Sequence, residues 1–191
     1  EREDGDHGVA QTVPADGVPT QAAAPAPPPL LDPDGPKVLI QTSMGDITLQ
    51  LDPVDAPKTV ANFLRYVRER HFDGTVFYRV NAGFVIQMGS WDAKGHGRLV
   101  HAPIALEAGL SNLRGTVAMA HGDDPDSATA EFFINLGDNT PLDLSAYDNK
   151  TGFAVFGQVV SGMVDVDAIS RVPVGDSGRI GGVARVDPVL E

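Results

Sequence analysis

Residues 77–89 read FYRVNAGFVIQMG, and this stretch carries the strongest structural signal in the chain. Two segments rich in β-branched and aromatic residues flank Asn81-Ala82-Gly83, a pattern typical of two strands joined by a tight turn. Arg79 and Gln87 stand inside these segments, where a buried hairpin would be expected to carry apolar side chains. Side chains alternate between the two faces of a strand, so Val85 and Gln87 are predicted to share one face.

Strand-like segments lie on both sides of this hairpin. Residues 38–42 and 47–51 alternate apolar and polar side chains around the turn at 43–46, which predicts a second hairpin. The segments GTVAMA, EFFINL and FAVFGQVV follow at short intervals with glycine-bearing turns, and residues 184–189 are predicted to form a last strand. This spacing indicates a mainly β protein with a closed antiparallel barrel.

Two helices are predicted between the strands. Asp55 is a candidate N-cap and Pro57 falls in the first turn, where its missing N–H is not needed. Apolar residues at i, i+3, i+4 and i+7 then indicate one buried helix face that extends to about Arg70; they are Val60, Phe63, Leu64 and Val67. A second short helix is predicted over 163–170.

The first 36 residues have a composition unlike the rest of the chain. Residues 1–36 hold eight of the fifteen prolines, and their seven acids against one arginine account for half of the net charge of -12. Such a segment buries too little apolar surface to fold, which predicts a disordered, partly polyproline tether. Residues 37–191 are predicted to form one globular domain.

This division predicts the effect of a truncation. Deleting residues 1–34 is expected to change the melting temperature and the activity of the remaining domain very little, because a disordered segment makes few native contacts. Calorimetry and an activity assay on the truncated protein measure both quantities. A fall in melting temperature of more than about 4 °C, which corresponds to roughly 1 kcal/mol in a domain of this size, would show that the tail packs on the domain.

Composition excludes several classes of function. A net charge of -12 disfavours binding to DNA or RNA, which draws on clustered basic residues. The chain has no cysteine, so it contains no disulfide and no thiol nucleophile. No apolar run approaches the roughly 20 residues needed to span a bilayer as a helix.

The hairpin sequence resembles the signature of the cyclophilins, and GTVAMA, EFFINL and FAVFGQVV follow in the cyclophilin order. The resemblance extends from Val38 to about Arg171 and is greatest to bacterial, periplasmic-type members. It implies a closed eight-stranded antiparallel barrel capped by two helices. It also implies cis/trans isomerisation of X-Pro bonds in proline-containing polypeptides, without a metal or organic cofactor. A monomer that assists protein folding in the periplasm or cell envelope is the corresponding expectation.

The same resemblance assigns a site. It implies that Arg79 and Gln87 are catalytic, with the guanidinium as a fixed donor that Gln87 orients. The substrate-binding residues that it implies are Phe84, Val85, Ala120, His121, Glu131, Phe133, Leu142 and Phe153.

Several positions depart from the commonest family pattern. Pro141 stands about where many members have a tryptophan, so cyclosporin binding is expected to be weak. Glu131 replaces the familiar glutamine. It is expected to lie near Arg79, where it either pairs with the guanidinium or competes with the substrate carbonyl. Competition is favoured, and Glu131→Gln is therefore expected to raise kcat/KM by roughly two- to tenfold.

Other interpretations of the chain remain open at this stage. A proline-binding or chaperone module of the same fold with weak turnover is the main alternative. The segment GDSG at 175–178 is typical of a serine hydrolase nucleophile, with Ser177 as the nucleophile and His121 as the base. His96 and His101 lack a third zinc ligand nearby, and the acids at 123–126 lack the spacing of a calcium loop.

Overall fold

The computed structural model describes residues 34–145, 151–173 and 185–188. Two α-helices and two short 3₁₀ helices accompany the strands within these ranges. The strands are Lys37–Thr42 (β1), Gly45–Leu51 (β2), Arg79–Asn81 (β3), Val85–Met88 (β4), Thr116–Met119 (β5), Phe132–Asn135 (β6), Val155–Ser161 (β7) and Arg185–Pro188 (β8). The α-helices are Pro57–Arg68 (α1) and Met163–Ser170 (α2), and the 3₁₀ helices are Pro125–Ser127 and Thr140–Leu142.

The strands form one antiparallel sheet in the order β3-β4-β6-β5-β7-β2-β1-β8. The mainly β architecture with two helices is therefore confirmed. Closure of the barrel is not confirmed, because β3 and β8 remain the two edges of the sheet among the described residues. The predicted hairpin at 43–46 is present, with Thr42 paired to Gly45 across a two-residue turn. The predicted helix over 163–170 is also confirmed.

The start of α1 differs from its prediction. Asp55 is not the N-cap; Ala56 occupies that position and makes no side-chain cap. The N–H groups of Lys58 and Thr59 instead donate to the two carboxylate oxygens of Glu107, at 3.1 and 2.8 Å. A residue that lies 48 positions after Thr59 in the chain therefore caps this helix.

The main core lies between the inner face of the sheet and α1. Phe63 is almost fully buried, and its ring lies 5.0–5.4 Å from the rings of Phe72, Phe132 and Phe156. Aromatic contacts of this kind fix the helix against the sheet. The core thereby holds β6 and β7 rigidly from one side.

The central strands are buried on both faces. Every residue of β4, β5 and β6 is buried, so their outer face is covered as well. Alternate residues belong to a second, smaller apolar cluster on that face: Val85, Ala118, Phe133 and Val155. Four further strand residues face the main core: Ile86, Val117, Ile134 and Phe156.

The predicted domain boundary is only partly within the described residues. The first strand begins at Lys37, and the carbonyl of Pro36 accepts a hydrogen bond from Leu51 N–H at 2.8 Å. The tether remains a prediction, since 1–33 lie outside the described residues. Within the described ranges, no helix is both long and apolar enough to cross a membrane.

Candidate active site

The site is built on a row of cross-strand partners. Arg79 pairs with Gln87, and Gln87 pairs with Phe133 on the next strand. Phe133 in turn pairs with Ala118, which pairs with Val155. Directly paired residues of antiparallel strands project from the same face, so this row crosses five strands on the side away from the main core.

A cavity of about 260 Å³ opens over this row. Nine of the ten site residues expected from the sequence line it: Arg79, Phe84, Val85, Gln87, Ala120, His121, Phe133, Leu142 and Phe153. Leu142 and Phe153 stand at opposite ends of a loop. They lie side by side because Phe153 N–H donates to Leu142 O at 3.0 Å. The tenth residue, Glu131, does not line the cavity.

The walls of the cavity are largely apolar and well packed. Val85 and Phe133 are almost fully buried, with exposed fractions of 1% and 4%. Phe153 meets Phe133 edge to face at 5.6 Å between ring centroids, and it stacks on His121 at 4.4 Å. Such a cavity accepts a compact apolar group through contact area and shape.

Arg79 is the cationic group at the rim. Its side chain is exposed, and its Nη1 donates to Gln87 Oε1 at 3.1 Å. The guanidinium carbon also lies 6.0 Å from the ring centroid of Phe84. Gln87 is 8% exposed, and its Nε2 donates to the hydroxyl of Tyr78. The guanidinium is thus held on one side and open on the other.

His121 joins the end of β5 to the loop before β7. Its Nδ1 lies 2.7 Å from Gly122 O and its Nε2 lies 2.8 Å from Gly152 O. A neutral imidazole has one N–H, so it can donate to only one of these carbonyls at a time, whereas the imidazolium can donate to both. The imidazole ring forms part of the cavity wall, and both of its nitrogens lie within hydrogen-bonding distance of backbone carbonyls. Ser177, its proposed partner in a hydrolase, lies outside the described residues.

Glu131 has a different environment from the one expected. Its Oε1 accepts from Ser90 N–H at 2.7 Å, and Oε2 is buried without a hydrogen-bond partner among the described residues. None of the ion pairs found between described residues joins Glu131 to Arg79. Burial raises the pKa of the nearby Tyr78 phenol, and the charge of Glu131 raises it further. Direct pairing with the guanidinium is therefore not the arrangement found.

Sequence reasoning missed a polar network beneath the cavity. Asn135 is fully buried; its Nδ2 donates to Asn112 Oδ1 at 3.2 Å, and its Oδ1 accepts from Asn139 Nδ2 at 2.7 Å. Asn139 Nδ2 also donates to Phe84 O at 2.9 Å. Asn112 donates through its N–H and its Nδ2 to Asp143 Oδ1, at 2.7 and 2.9 Å. The repeated asparagines were visible in the sequence, but nothing local indicated that they meet.

The remaining polar candidates have ordinary partners. His96 Nδ1 lies 3.2 Å from Asp92 Oδ2, and His101 Nε2 lies 2.5 Å from Glu69 Oε2. In the part of the chain that the structure describes, no group of three or more His, Cys, Asp or Glu side chains is arranged to hold a metal ion.

Known proteins resemble this chain in both sequence and fold. The sequence profile of the family described as cyclophilin type peptidyl-prolyl cis-trans isomerase/CLD matches residues 37–186. Peptidyl-prolyl cis-trans isomerase cyp18 from Streptomyces antibioticus is 50% identical over 143 residues, which cover 73% of this chain and 86% of that protein. Peptidyl-prolyl cis-trans isomerase B from Escherichia coli K12 is 43% identical over 157 residues, with coverage of 81% and 96%.

Solved structures show the same fold. A crystal structure of a cyclophilin type peptidyl-prolyl cis-trans isomerase from Cryptosporidium parvum matches with a TM-score of 0.68 at 20% identity, covering 82% of this chain and 98% of that one. The fold is that of a cyclophilin. The chain belongs to the cyclophilin-type peptidyl-prolyl cis-trans isomerase family, and it is an enzyme of that class.

Proposed function

We propose that Arg79 drives X-Pro bond rotation in polypeptides while the apolar cavity holds the proline ring. Rotation of a peptide bond breaks amide resonance, against a barrier of roughly 18–20 kcal/mol. No covalent bond is made or cleaved. The enzyme therefore needs only groups that bind the twisted amide better than either planar form.

The guanidinium supplies such a group. In the twisted transition state the prolyl nitrogen regains its lone pair, and a fixed donor can interact with the polypeptide more strongly than it does in the planar state. Arg79 remains charged and forked, and Gln87 holds one of its nitrogens at 3.1 Å. A differential stabilisation of about 5.5 kcal/mol would supply roughly 10⁴-fold acceleration.

The cavity positions the proline ring of the substrate. Phe133, Phe153 and Val85 present an apolar surface to a proline ring, which has no N–H to satisfy. Anchoring the ring leaves the preceding residue free to swing about the C–N bond beside Arg79. The observation that carries this proposal is the cross-strand row that puts Arg79, Gln87 and Phe133 side by side on one face.

A protease-coupled isomerisation assay on an X-Pro tetrapeptide tests the proposal. The rate of cis-to-trans conversion is expected to rise linearly with enzyme concentration. The alternative, a proline-binding module with weak turnover, predicts binding of the same peptide in titration calorimetry with a rate that stays near the uncatalysed one. The two measurements on one peptide separate these functions.

The setting of the activity is part of the same proposal. The acidic, proline-rich composition of residues 1–36 is typical of a flexible tether, which would let the domain reach extended polypeptides. This supports a role in protein folding in the periplasm or cell envelope. We propose that the domain acts as a monomer. Cell fractionation and sedimentation velocity of the full chain test these two points.

Inhibition by cyclosporin is expected to be weak. Pro141 is exposed and lines a second pocket, which adjoins the cavity and shares Leu142 and Phe153 with it. Proline has neither an indole N–H nor a large flat ring. Titration calorimetry measures the affinity directly, and Pro141→Trp provides the matched variant, which is expected to bind more tightly. Nanomolar affinity of the unmodified protein would contradict the expectation.

A further inference from the structure

The second pocket, which Pro141 lines, continues the apolar cavity. It has a volume of about 330 Å³, and three residues line both spaces: His121, Leu142 and Phe153. An extended polypeptide rises about 3.3 Å per residue. A substrate whose proline ring fills the cavity therefore carries a neighbouring side chain, from within about two residues of the proline, over the second pocket.

Hydrogen-bond acceptors dominate the polar groups on this pocket's wall. Gly122 O and Gly152 O lie 2.7 and 2.8 Å from the two ring nitrogens of His121, and each carbonyl oxygen has a second lone pair that can accept from a ligand. The N–H of Gly122 is already used, because it donates to Ser127 Oγ at 2.9 Å. The wall therefore favours an occupant that donates hydrogen bonds.

Asp123 adds a negative charge to the second pocket. It is exposed, and it is the one acidic residue among the described residues that line the pocket. No hydrogen bond or ion pair joins its carboxylate to another described residue. Its acidic neighbours differ in this respect: Asp124 Oδ1 accepts from Asp126 N–H at 2.9 Å, and Asp126 Oδ1 accepts from Leu106 N–H at 2.8 Å. The Asp123 carboxylate is thus available to a ligand.

We propose that the second pocket binds a lysine or arginine side chain of the substrate, within about two residues of the proline, and that Asp123 determines this preference. The inference rests on the proposed function, because it requires the proline ring to occupy the cavity. Pro141 and Leu142 contact the methylene stem, while the charged head group reaches Asp123 and the carbonyl oxygens. A glutamate in the same place meets a like charge and is disfavoured.

Matched peptides test the preference. Each contains one X-Pro bond and carries lysine, norleucine or glutamate at the first or second position on either side of the proline. Norleucine keeps the straight stem of lysine without the charge, so the lysine-to-norleucine rate ratio reports the charge alone. NMR exchange at low peptide concentration measures kcat/KM without a coupling protease. At one of these positions, lysine is expected to be roughly two- to fourfold faster than norleucine, as for an exposed ion pair, and glutamate slower than both.

Two substitutions at position 123 assign the preference to one carboxylate. Asp123→Asn is expected to bring the lysine-to-norleucine ratio close to one, and Asp123→Lys is expected to make glutamate faster than lysine. Asp124→Asn is the matched control, since it removes the same charge one residue further along the chain and is expected to keep the wild-type ratio. Two peptides compared on one enzyme preparation give a ratio that does not depend on the folded fraction.

Salt provides an independent test of the charge effect. Raising the NaCl concentration from about 0.1 M to about 1 M shortens the Debye length from about 10 Å to about 3 Å, which should reduce the wild-type ratio toward one.

The possible outcomes separate this inference from the function on which it rests. Equal rates for lysine, norleucine and glutamate at every position would overturn the inference. A lysine preference that survives in Asp123→Asn would also overturn it, as would one that disappears equally in Asp124→Asn, because the general charge of the loop would then be its cause. Failure of the wild-type protein to accelerate any of the peptides would instead contradict the proposed function.

Discussion

Replacing Arg79 with alanine is expected to lower kcat/KM for an X-Pro peptide by about 10²–10³-fold, the range found when a preorganised transition-state donor is removed. The fold should be unaffected, because Arg79 is exposed and lies on an edge strand. The protease-coupled assay measures the rate, and the melting temperature measures the fold. The loss is expected mainly in kcat, since the apolar cavity remains.

Two further variants define the role of the guanidinium. Arg79→Lys should recover little of the lost activity, because an ammonium keeps the charge but cannot contact Gln87 and the substrate through one planar fork. Arg65→Ala is the control; Arg65 is an exposed arginine of α1 whose partner is Glu69. Near-normal activity in folded Arg79→Ala protein would contradict the mechanism.

Replacing Asn135 with alanine is expected to lower the free energy of unfolding by about 3 kcal/mol. The side chain is fully buried and makes three hydrogen bonds, to Asn112, Thr116 and Asn139. Its loss leaves buried donors and acceptors without partners, and this desolvation cost is larger than the net value of the bonds. Urea denaturation monitored by fluorescence measures the change.

The control for this prediction is Asn81→Ala. Asn81 is exposed near the tip of the β3–β4 hairpin, so its replacement should change stability by no more than about 0.5 kcal/mol. The Asn135 variant should also show a raised KM, since Asn139 holds the carbonyl of Phe84 and Asn112 holds the segment that carries Leu142. Unchanged stability of Asn135→Ala would show that water or repacking satisfies the network.

Local patterns predicted much of the site. Alternation along residues 77–89 placed Val85 and Gln87 on one face, and the structure puts both in the cavity. The predicted helix at 163–170 and the turn at 43–46 were also correct. These features depend on contacts between residues a few positions apart. Such contacts give the sequence a regular repeat of apolar and polar residues.

The prediction for the start of α1 failed because a distant residue was decisive. Asp55 is a residue type that favours the N-cap, but the Glu107 carboxylate accepts from the first N–H groups of α1 instead. The partner of Glu131 was likewise not visible in the sequence, since its Oε1 accepts from Ser90 N–H, 41 positions earlier in the chain. The propensity of a residue describes the positions that it favours in a helix or strand. The paths of the loops decide which group lies within hydrogen-bonding distance of it.

By itself, the sequence determined the strands, the two helices and the residues that face outward from the sheet, because side-chain alternation and helical periodicity are properties of short segments. The tertiary structure alone decided how those residues are held. The asparagine network under the cavity and the hydrogen bond from Ser90 N–H to Glu131 Oε1 join segments that are far apart in the chain. A hydrogen bond needs its two groups within about 3 Å and well aligned, and only the packed sheet brings such distant groups to that separation.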